Sequence, residues 1–476
     1  MFKLTMSYVL CLDCGATNVR AIIVDDKGNL VAKASQPNST DTGAENAQYH
    51  VWNADRILNQ LAECARKILP EVDASQVKGI TITTFGVDGA LVDEQGELLY
   101  PVISWKCPRT AEVMKNIDKY MSQRKLNELS GVGEFAFNTL YKLIWLKENR
   151  PELLEKSHAW LFISNILAHR LTGVMATDRT MAGTSQMTDL STGDWSDEIL
   201  STLGISKSLF PPMVDAGAVI GHLTPAACEL LGLPCSVPVV STGHDTQFAL
   251  FGSGVKENQP FLSSGTWEIL MLRTAKAALE ADDYAAGATV EYDSKAGLLN
   301  PGLQWIASGI IEWVKATCYN GENYDTMDAE AAAIPPGCDG VKLIPNFLPS
   351  DAVPGSIEGL ILGRTRGHIY RAAMEALTLR LKNRLEKLEK VGGFKATELL
   401  LVGGGARNKI WTQMRADILG LPILVSKVSE STVLGAAMYA FSGAGVYASP
   451  DACRDAFGIE YETTFPGEQQ AQYAAL

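Results

Sequence analysis

The stretch VLCLDCGATNVRAIIVDDKG, residues 9–28, constrains the fold of this chain more than any other feature. An apolar strand runs into Asp13, passes through Cys14-Gly15-Ala16-Thr17-Asn18 and returns as a second apolar strand, Arg20–Val24. An ordinary hairpin needs two or three turn residues and no acid at the end of a buried strand. The layout recurs in PFLSSGTWEILML (260–272), strand, Ser-Ser-Gly-Thr turn, strand. A third glycine turn, Gly403-Gly404-Gly405, follows the strand Glu398–Val402.

Between these strands the apolar spacing turns helical. Asn53 precedes a helix carrying Ile57, Leu58, Leu61, Ala65 and Ile68 and ended by Pro70. Further helices are expected from about His368 to Lys390, from Arg407 and from Thr432, with strands at Gly79–Thr83 and Ile423–Ser426. Alternating strands and helices predict an α/β protein with mostly buried sheets. The polar stretch 36–50 reads as an irregular loop bordering a pocket. A chain of 476 residues exceeds one typical core. The second strand–turn–strand series places a domain boundary near 241–256.

Apolar content of 46% and charged content of 20% fit a globular protein. No run approaches the roughly 18 apolar residues of a membrane span, and the start of the chain lacks a signal-peptide pattern. The expected location is cytoplasmic. Nine scattered cysteines, an odd number, argue against a disulfide framework or a zinc site. A net charge of −13 disfavours nucleic acid and anionic membrane as partners. Any phosphorylated ligand must therefore be held locally, by backbone amides, a few cations or a metal. Self-association into a homo-oligomer is left open.

Glycine in a turn lets a ligand approach the main chain, and turn amides can cradle phosphate oxygens. Thr17, Asn18, Ser264 and Thr266 add side-chain donors. One such turn alone reads as a tight hairpin; three at strand ends in one chain favour phosphate binding. No GxxxxGK[ST] is present, so this is not a P-loop protein. Asp13 beside such a turn is either a ligand of Mg²⁺ or an Asx-turn cap. Asp245, in Gly243-His244-Asp245-Thr246, is either a general base poised against a hydroxyl or a helix N-cap. Asp88, Lys106 and Arg109 are candidates to bind a polyhydroxy ligand, and Trp105 is a candidate platform for sugar C–H faces or a core residue. Trp305 and His368 are assigned to structure, and Cys14 to filling the turn.

The motifs DCGATNVR, TTFGVDGALVD, ISWKCPRT, TDRTMAGTSQMTD, GHDTQFALFG, SSGTWEIL and LLLVGGGARN occur in this order. Together they resemble the FGGY carbohydrate kinase family over almost the whole chain. The combination is most similar to members that phosphorylate L-fuculose at its 1-hydroxyl with ATP and Mg²⁺ in L-fucose catabolism. The resemblance implies two RNase H-like, actin/hexokinase-like domains flanking a deep catalytic cleft. Residues 1–243 would form the sugar-binding N-terminal domain with the first phosphate loop. Residues 244–476 would form the nucleotide-binding C-terminal domain, with the catalytic acid at its start. It further implies that Asp13, Gly15, Ala16, Thr17, Asn18 and Arg20 form that first loop, with the metal at Asp13. Gly265 and Thr266 would form the second loop, and Gly403, Gly404 and Gly405 the adenosine side. Asp245 matches the catalytic base, with His244 and Thr246 beside the sugar. Gly86 matches a sugar-contacting position, with Asp88 nearby. Phe85-Gly86-Val87-Asp88 stands where glycerol kinases carry an Arg-Glu pair, which disfavours glycerol. The alternatives are another ketose, L-rhamnulose or D-xylulose, and an actin- or chaperone-like nucleotide switch without sugar chemistry.

Overall fold

A computed structural model describes residues 6–349 and 351–475. The chain divides into two compact units that interleave in sequence: Met1–Gly254 with Thr289–Leu298 and Val428–Ile459, and Val255–Ala288 with Leu299–Lys427 and Glu460–Leu476.

In the first unit β1 (Tyr8–Cys14) pairs antiparallel with β2 (Asn18–Asp25), which pairs antiparallel with β3 (Leu30–Pro37). On its other side β1 runs parallel to β4 (Val77–Thr84), with Asp13 opposite Thr83. The edge strand β5 (Val219–His222) pairs antiparallel with β6 (Pro238–Val240), and β6 runs parallel to β4. The order is β5-β6-β4-β1-β2-β3. Period-two alternation sends Leu10, Leu12 and Cys14 to one face, against Ile57, Leu58 and Leu61 of the helix Ala54–Ile68. Val9 and Cys11 point to the other face. This opposition explains why Cys11 and Cys14, spaced Cys-x-x-Cys, stay buried and free.

The second face is covered by the helix Ser431–Gly443, apolar on nearly every side and buried from Val433 to Phe441. This packing is why the late segment Val428–Ile459 belongs to this unit. This helix meets the helix Asp245–Gly252 backbone to backbone. A Cβ on Gly435 would overlap the carbonyl oxygen of Phe248, and one on Gly252 would overlap that of Ser431. Glycine at both positions seats the helix that begins with Asp245 firmly on its neighbour.

The second unit repeats the plan. β7 (Phe261–Ser264) pairs antiparallel with β8 (Trp267–Met271), and β8 antiparallel with β9 (Leu299–Ile306). β7 runs parallel to β10 (Leu399–Val402) and β10 parallel to β11 (Ile423–Ser426); β12 (Tyr461–Thr464) closes the edge antiparallel. The long helix Arg366–Gly392 buries Leu377, Leu381, Leu385 and Leu388 against this sheet. Each unit is thus a meander of three antiparallel strands continued by two parallel ones, which is the repeat the two hairpins announce.

Two expectations change. The stretch 36–50 is not irregular: Asp41–Gly43 pairs with Asn46–Trp52, which pairs in turn with Val102–Ile103. Only Val51 and Trp52 of that strand are buried, so it carries no alternating signal. One disulfide, Cys228–Cys235, joins residues seven apart. Among the described residues no helix is long and apolar enough to cross a membrane.

Candidate active site

The parallel strands β1 and β4, and the segment following β6, all end on one side of the first sheet. Ligands of open α/β sheets gather at such carboxyl ends. There the Thr83 hydroxyl donates to Asp13 Oδ1 at 2.8 Å, and the Thr84 amide donates to the Gly243 carbonyl at 2.9 Å. These two links put Asp13 and the Gly243-His244-Asp245 segment on either side of one strand end. Asp13 Oδ2 also accepts from Arg20 Nε at 2.9 Å, and Arg20 Nη1 donates to Glu430 at 2.7 Å. Expected to face phosphates, Arg20 instead has its fork on two carboxylates and acts as a tether for Asp13. Beyond it the turn is open: Thr17 and Asn18 are exposed, and Gly15 and Ala16 partly so. Asn38 fixes its shape, donating through Nδ2 to the Gly15 carbonyl and through its amide to that of Thr17, both at 2.8 Å.

Asp245 is the first residue of its helix and His244 the N-cap position, so the carboxylate is not the cap. Its side chain is 33% exposed. Desolvation pushes its carboxyl above the usual range; His244 opposes this and the charge on Asp13 adds to it. His244 Nε2 lies 3.6 Å from Asp245 Oδ1 and Nδ1 lies 3.4 Å from Glu291 Oε2. Burial alone would lower the imidazole, but Glu291, Asp245 and Asp178 outweigh it and raise it. Gln247 donates to the same Glu291 oxygen at 2.7 Å. The loop is fixed from below by TDRT: the His244 amide donates to Thr180 Oγ1 at 2.9 Å, and buried Asp178 accepts from Thr180 and from Ser241. Thr246 donates to Asp245 Oδ1 at 3.2 Å.

Gly86 borders this loop: a Cβ there would stand 3.0 Å from the His244 ring. Val87 follows with φ +63°, a strained conformation for a β-branched residue. Thr139 and Lys142 both donate to its carbonyl, at 2.8 and 2.9 Å, and hold it there. Asp88 departs from expectation. It is fully buried, with Oδ1 on the Lys142 ammonium and Oδ2 accepting from Trp52 Nε1 at 2.7 Å and the Trp105 amide at 3.0 Å. No ligand reaches it; it anchors the Trp105 segment. Arg109 is likewise buried, its guanidinium 3.9 Å from the Tyr49 ring centroid and donating to the Tyr100 hydroxyl at 2.9 Å. It packs among aromatic rings, where with Tyr49 and Trp145 it lines a cavity apart from the His244 loop residues. Trp105 is 37% exposed, with Phe137 edge-on at 6.4 Å and Phe135 stacked on Phe137. Lys106 Nζ lies 5.5 Å from the Trp105 ring and 3.4 Å from the Ala16 carbonyl, beside the first turn.

In the second unit the Ser263–Trp267 turn and Gly403–Gly405 sit side by side at the ends of β7 and β10. Gly403 has φ +93°, and a Cβ there would lie 2.5 Å from the Ser264 carbonyl; one on Gly405 would overlap the Ser264 hydroxyl. Beneath them Arg415 and Glu268, both withdrawn from solvent, form an ion pair. The Ser264 hydroxyl donates to Glu268 at 3.0 Å and accepts from Arg415 at 2.9 Å, and Trp305 Nε1 donates to Glu268 at 3.0 Å. Thr266 and Gly404 remain exposed above this support.

Among the described residues no three metal-ligating side chains converge. Asp13 is a single carboxylate whose two oxygens already accept from Thr83 and Arg20.

Comparison with known proteins adds three findings. Residues 8–252 match the N-terminal domain, and residues 261–444 the C-terminal domain, of the FGGY family of carbohydrate kinases. The chain is 52% identical over 459 residues to the L-fuculokinase of Escherichia coli (strain K12), covering 96% of this chain and 97% of that one. It is 44% identical over 472 residues to the L-fuculokinase of Haemophilus influenzae, covering 97% and 100%. Among solved structures, the xylulose kinase from Rhodospirillum rubrum superposes with a TM-score of 0.88 at 23% identity, over 98% of this chain and 96% of that one; this likeness bears on the fold.

Proposed function

The chain belongs to the FGGY family of carbohydrate kinases, and from that premise we propose that it transfers the γ-phosphoryl group of ATP to the 1-hydroxyl of L-fuculose. The products are L-fuculose 1-phosphate and ADP. Identity of 52% along 96% of the chain to an L-fuculokinase is the observation that carries the substrate. L-Rhamnulose, D-xylulose and a nucleotide switch without sugar chemistry are not favoured.

In this reading Asp245 is the general base. Its raised carboxyl brings its proton affinity closer to that of a hydroxyl losing a proton at neutral pH. His244 stands on one side of the acceptor and Gly86 leaves room for it, while Trp105 offers an apolar ring to a C–H face of the sugar. Residues 1–243 supply the sugar side and the first phosphate turn, 15–18. The base, Asp245, belongs to the same first unit, which runs to Gly254 rather than ending at 243, while the second unit supplies Gly265 and Thr266 for phosphates and Gly403–Gly405 for the adenosine side. Mg²⁺ brought with ATP would be held by Asp13 and would neutralise phosphate charge on a chain of net charge −13. Use of ATP fits the expected cytoplasmic location. Phosphoryl transfer depends mainly on positioning and charge neutralisation, which a site assembled from turns provides.

The deciding experiment measures ADP release with L-fuculose, L-rhamnulose, D-xylulose, glycerol and no sugar, with the product identified by ³¹P NMR. L-Fuculose is expected to give the highest kcat/KM and a 1-phosphate. Equal ADP release without sugar would overturn the kinase reading, and a higher kcat/KM for another ketose would overturn the substrate.

A further inference from the structure

A cavity of about 870 Å³ lies in the second unit between the helix Arg366–Gly392 and the strand Lys342–Ile344. This is the size range of small-molecule sites. None of the residues of the turns at 263–267 or 403–405 lines it.

The helix presents two kinds of surface to this cavity. Its earlier part offers Ala372, Ala376 and the half-exposed Leu379; its later part offers Arg380, Arg384 and Lys387 at helical spacing. Arg380 donates to Asn346 Oδ1 at 2.7 Å and Arg384 to the Ala286 carbonyl at 3.0 Å. Among the described residues neither has a carboxylate partner within ion-pair distance. Among the described residues the one acid lining the cavity, Glu375, is taken by Arg371 at 3.0 Å and by the Tyr473 hydroxyl at 2.8 Å. Burial lowers both Arg380 and Arg384; for Arg380 the neighbouring Arg384 adds to this and the charge on Asp351 opposes it. Two neighbouring guanidinium groups, partly desolvated and without a carboxylate in direct contact, are costly unless an anion joins them.

We propose that this cavity is a second binding site, for a phosphate-bearing small molecule. Its phosphate is taken by the guanidinium groups of Arg380 and Arg384, which match phosphate oxygens in bidentate geometry. Its organic body lies along Ala372, Ala376 and Leu379. The site shares no lining residue with the turns assigned to ATP or with the residues assigned to the sugar.

The test uses the full chain and phenyl phosphate as probe, with inorganic phosphate and benzoate beside it, by isothermal titration at low ionic strength. Phenyl phosphate is expected to bind the wild type at least tenfold more tightly than the Arg380→Gln/Arg384→Gln variant, with L-fuculose phosphorylation by the variant unchanged. Inorganic phosphate should bind more weakly because it lacks the apolar body, and benzoate because it lacks the phosphate. If the double variant unfolds, Arg384→Lys keeps the charge and removes the fork, and should still weaken binding several-fold. No binding to the wild type, or equal binding to the wild type and folded variants, would overturn the proposal. A changed sedimentation coefficient with unchanged probe affinity would also overturn it, assigning this face to a second copy of the chain. Because the readout is binding, it stands or falls apart from the kinase activity.

Discussion

The imidazole Nε2 of His244 lies 3.6 Å from Oδ1 of Asp245, so the proposed base works beside a group whose positive form its acidic neighbours favour. An opposite charge stabilises the ionised carboxylate, and His244 counteracts the upward push of burial and Asp13. A base is active only when ionised, so activity falls as pH drops through its pKa. Replacing His244 by Asn removes the counteracting charge and should move the acid limb of kcat/KM to higher pH. Glu291→Gln should shift it in the same direction by less, because the imidazole then loses its proton at lower pH. A limb that stays in place, or moves down, in His244→Asn would show that Asp245 is not the group titrating.

Asp245→Asn keeps the shape of the side chain and removes the proton acceptor. The expected loss in kcat is at least ~10²-fold, the usual scale for a general base. ATP affinity, read by equilibrium titration, should remain within about twofold. Near-normal turnover would remove Asp245 from the mechanism.

Lys142 and Asp88 are both completely buried and paired with each other. Lys142→Met leaves the Asp88 charge without its cation and releases the Val87 carbonyl from one of its two donors. Breaking a buried pair from one side costs about 3–5 kcal/mol, to be read from the midpoint of urea unfolding. A loss under about 1 kcal/mol would mean that the pair is not what holds the 86–88 turn.

This pair also marks where sequence reading stops. Asp13, Asp88 and Asp245 look alike in the sequence, each an acid just after an apolar strand. What separates them is their partners: Asp88 meets Lys142, 54 residues away, Asp13 meets Arg20 and Thr83, and Asp245 keeps a third of its side chain open. Partners so distant leave no local signal. The same holds for Glu430 on Arg20, Glu291 on His244 and Arg415 on Glu268. Arg109, read as a ligand-binding cation, lies against aromatic rings contributed by Tyr49 and Trp145, which are far from it in the chain. The turns themselves were legible because strand alternation and glycine are local properties. The late helix Ser431–Gly443 was legible as a helix from about Thr432, but not as covering the first sheet.

Trp105 keeps its ring accessible while its amide is anchored on Asp88. If it stacks on the sugar, Trp105→Ala should raise KM for L-fuculose roughly 3- to 10-fold, the scale of one such stacking contact. Here kcat should change little, and Trp105→Phe should recover most of the loss. An unchanged KM in the alanine variant would return this residue to the role of a surface aromatic.

The triple glycine after β10 offers a comparison within three consecutive residues. At Gly403 a side chain meets φ +93° and the Ser264 carbonyl; at Gly405 it meets the Ser264 hydroxyl; at Gly404 nothing lies within 4 Å. A left-handed backbone costs an L-residue roughly 1–2 kcal/mol before any clash is counted. Alanine at 403 or 405 must therefore push this turn away from its neighbour at 263–267. KM for ATP should rise about tenfold or more in both variants, with KM for L-fuculose held. Gly404→Ala should bind ATP nearly as the wild type does, unless the nucleotide itself packs against that Cα. A rise confined to Gly404→Ala would thus place ATP directly on the turn and show that its fit to Ser264 tolerates adjustment. Equal, small effects at all three positions would remove the turn from nucleotide binding.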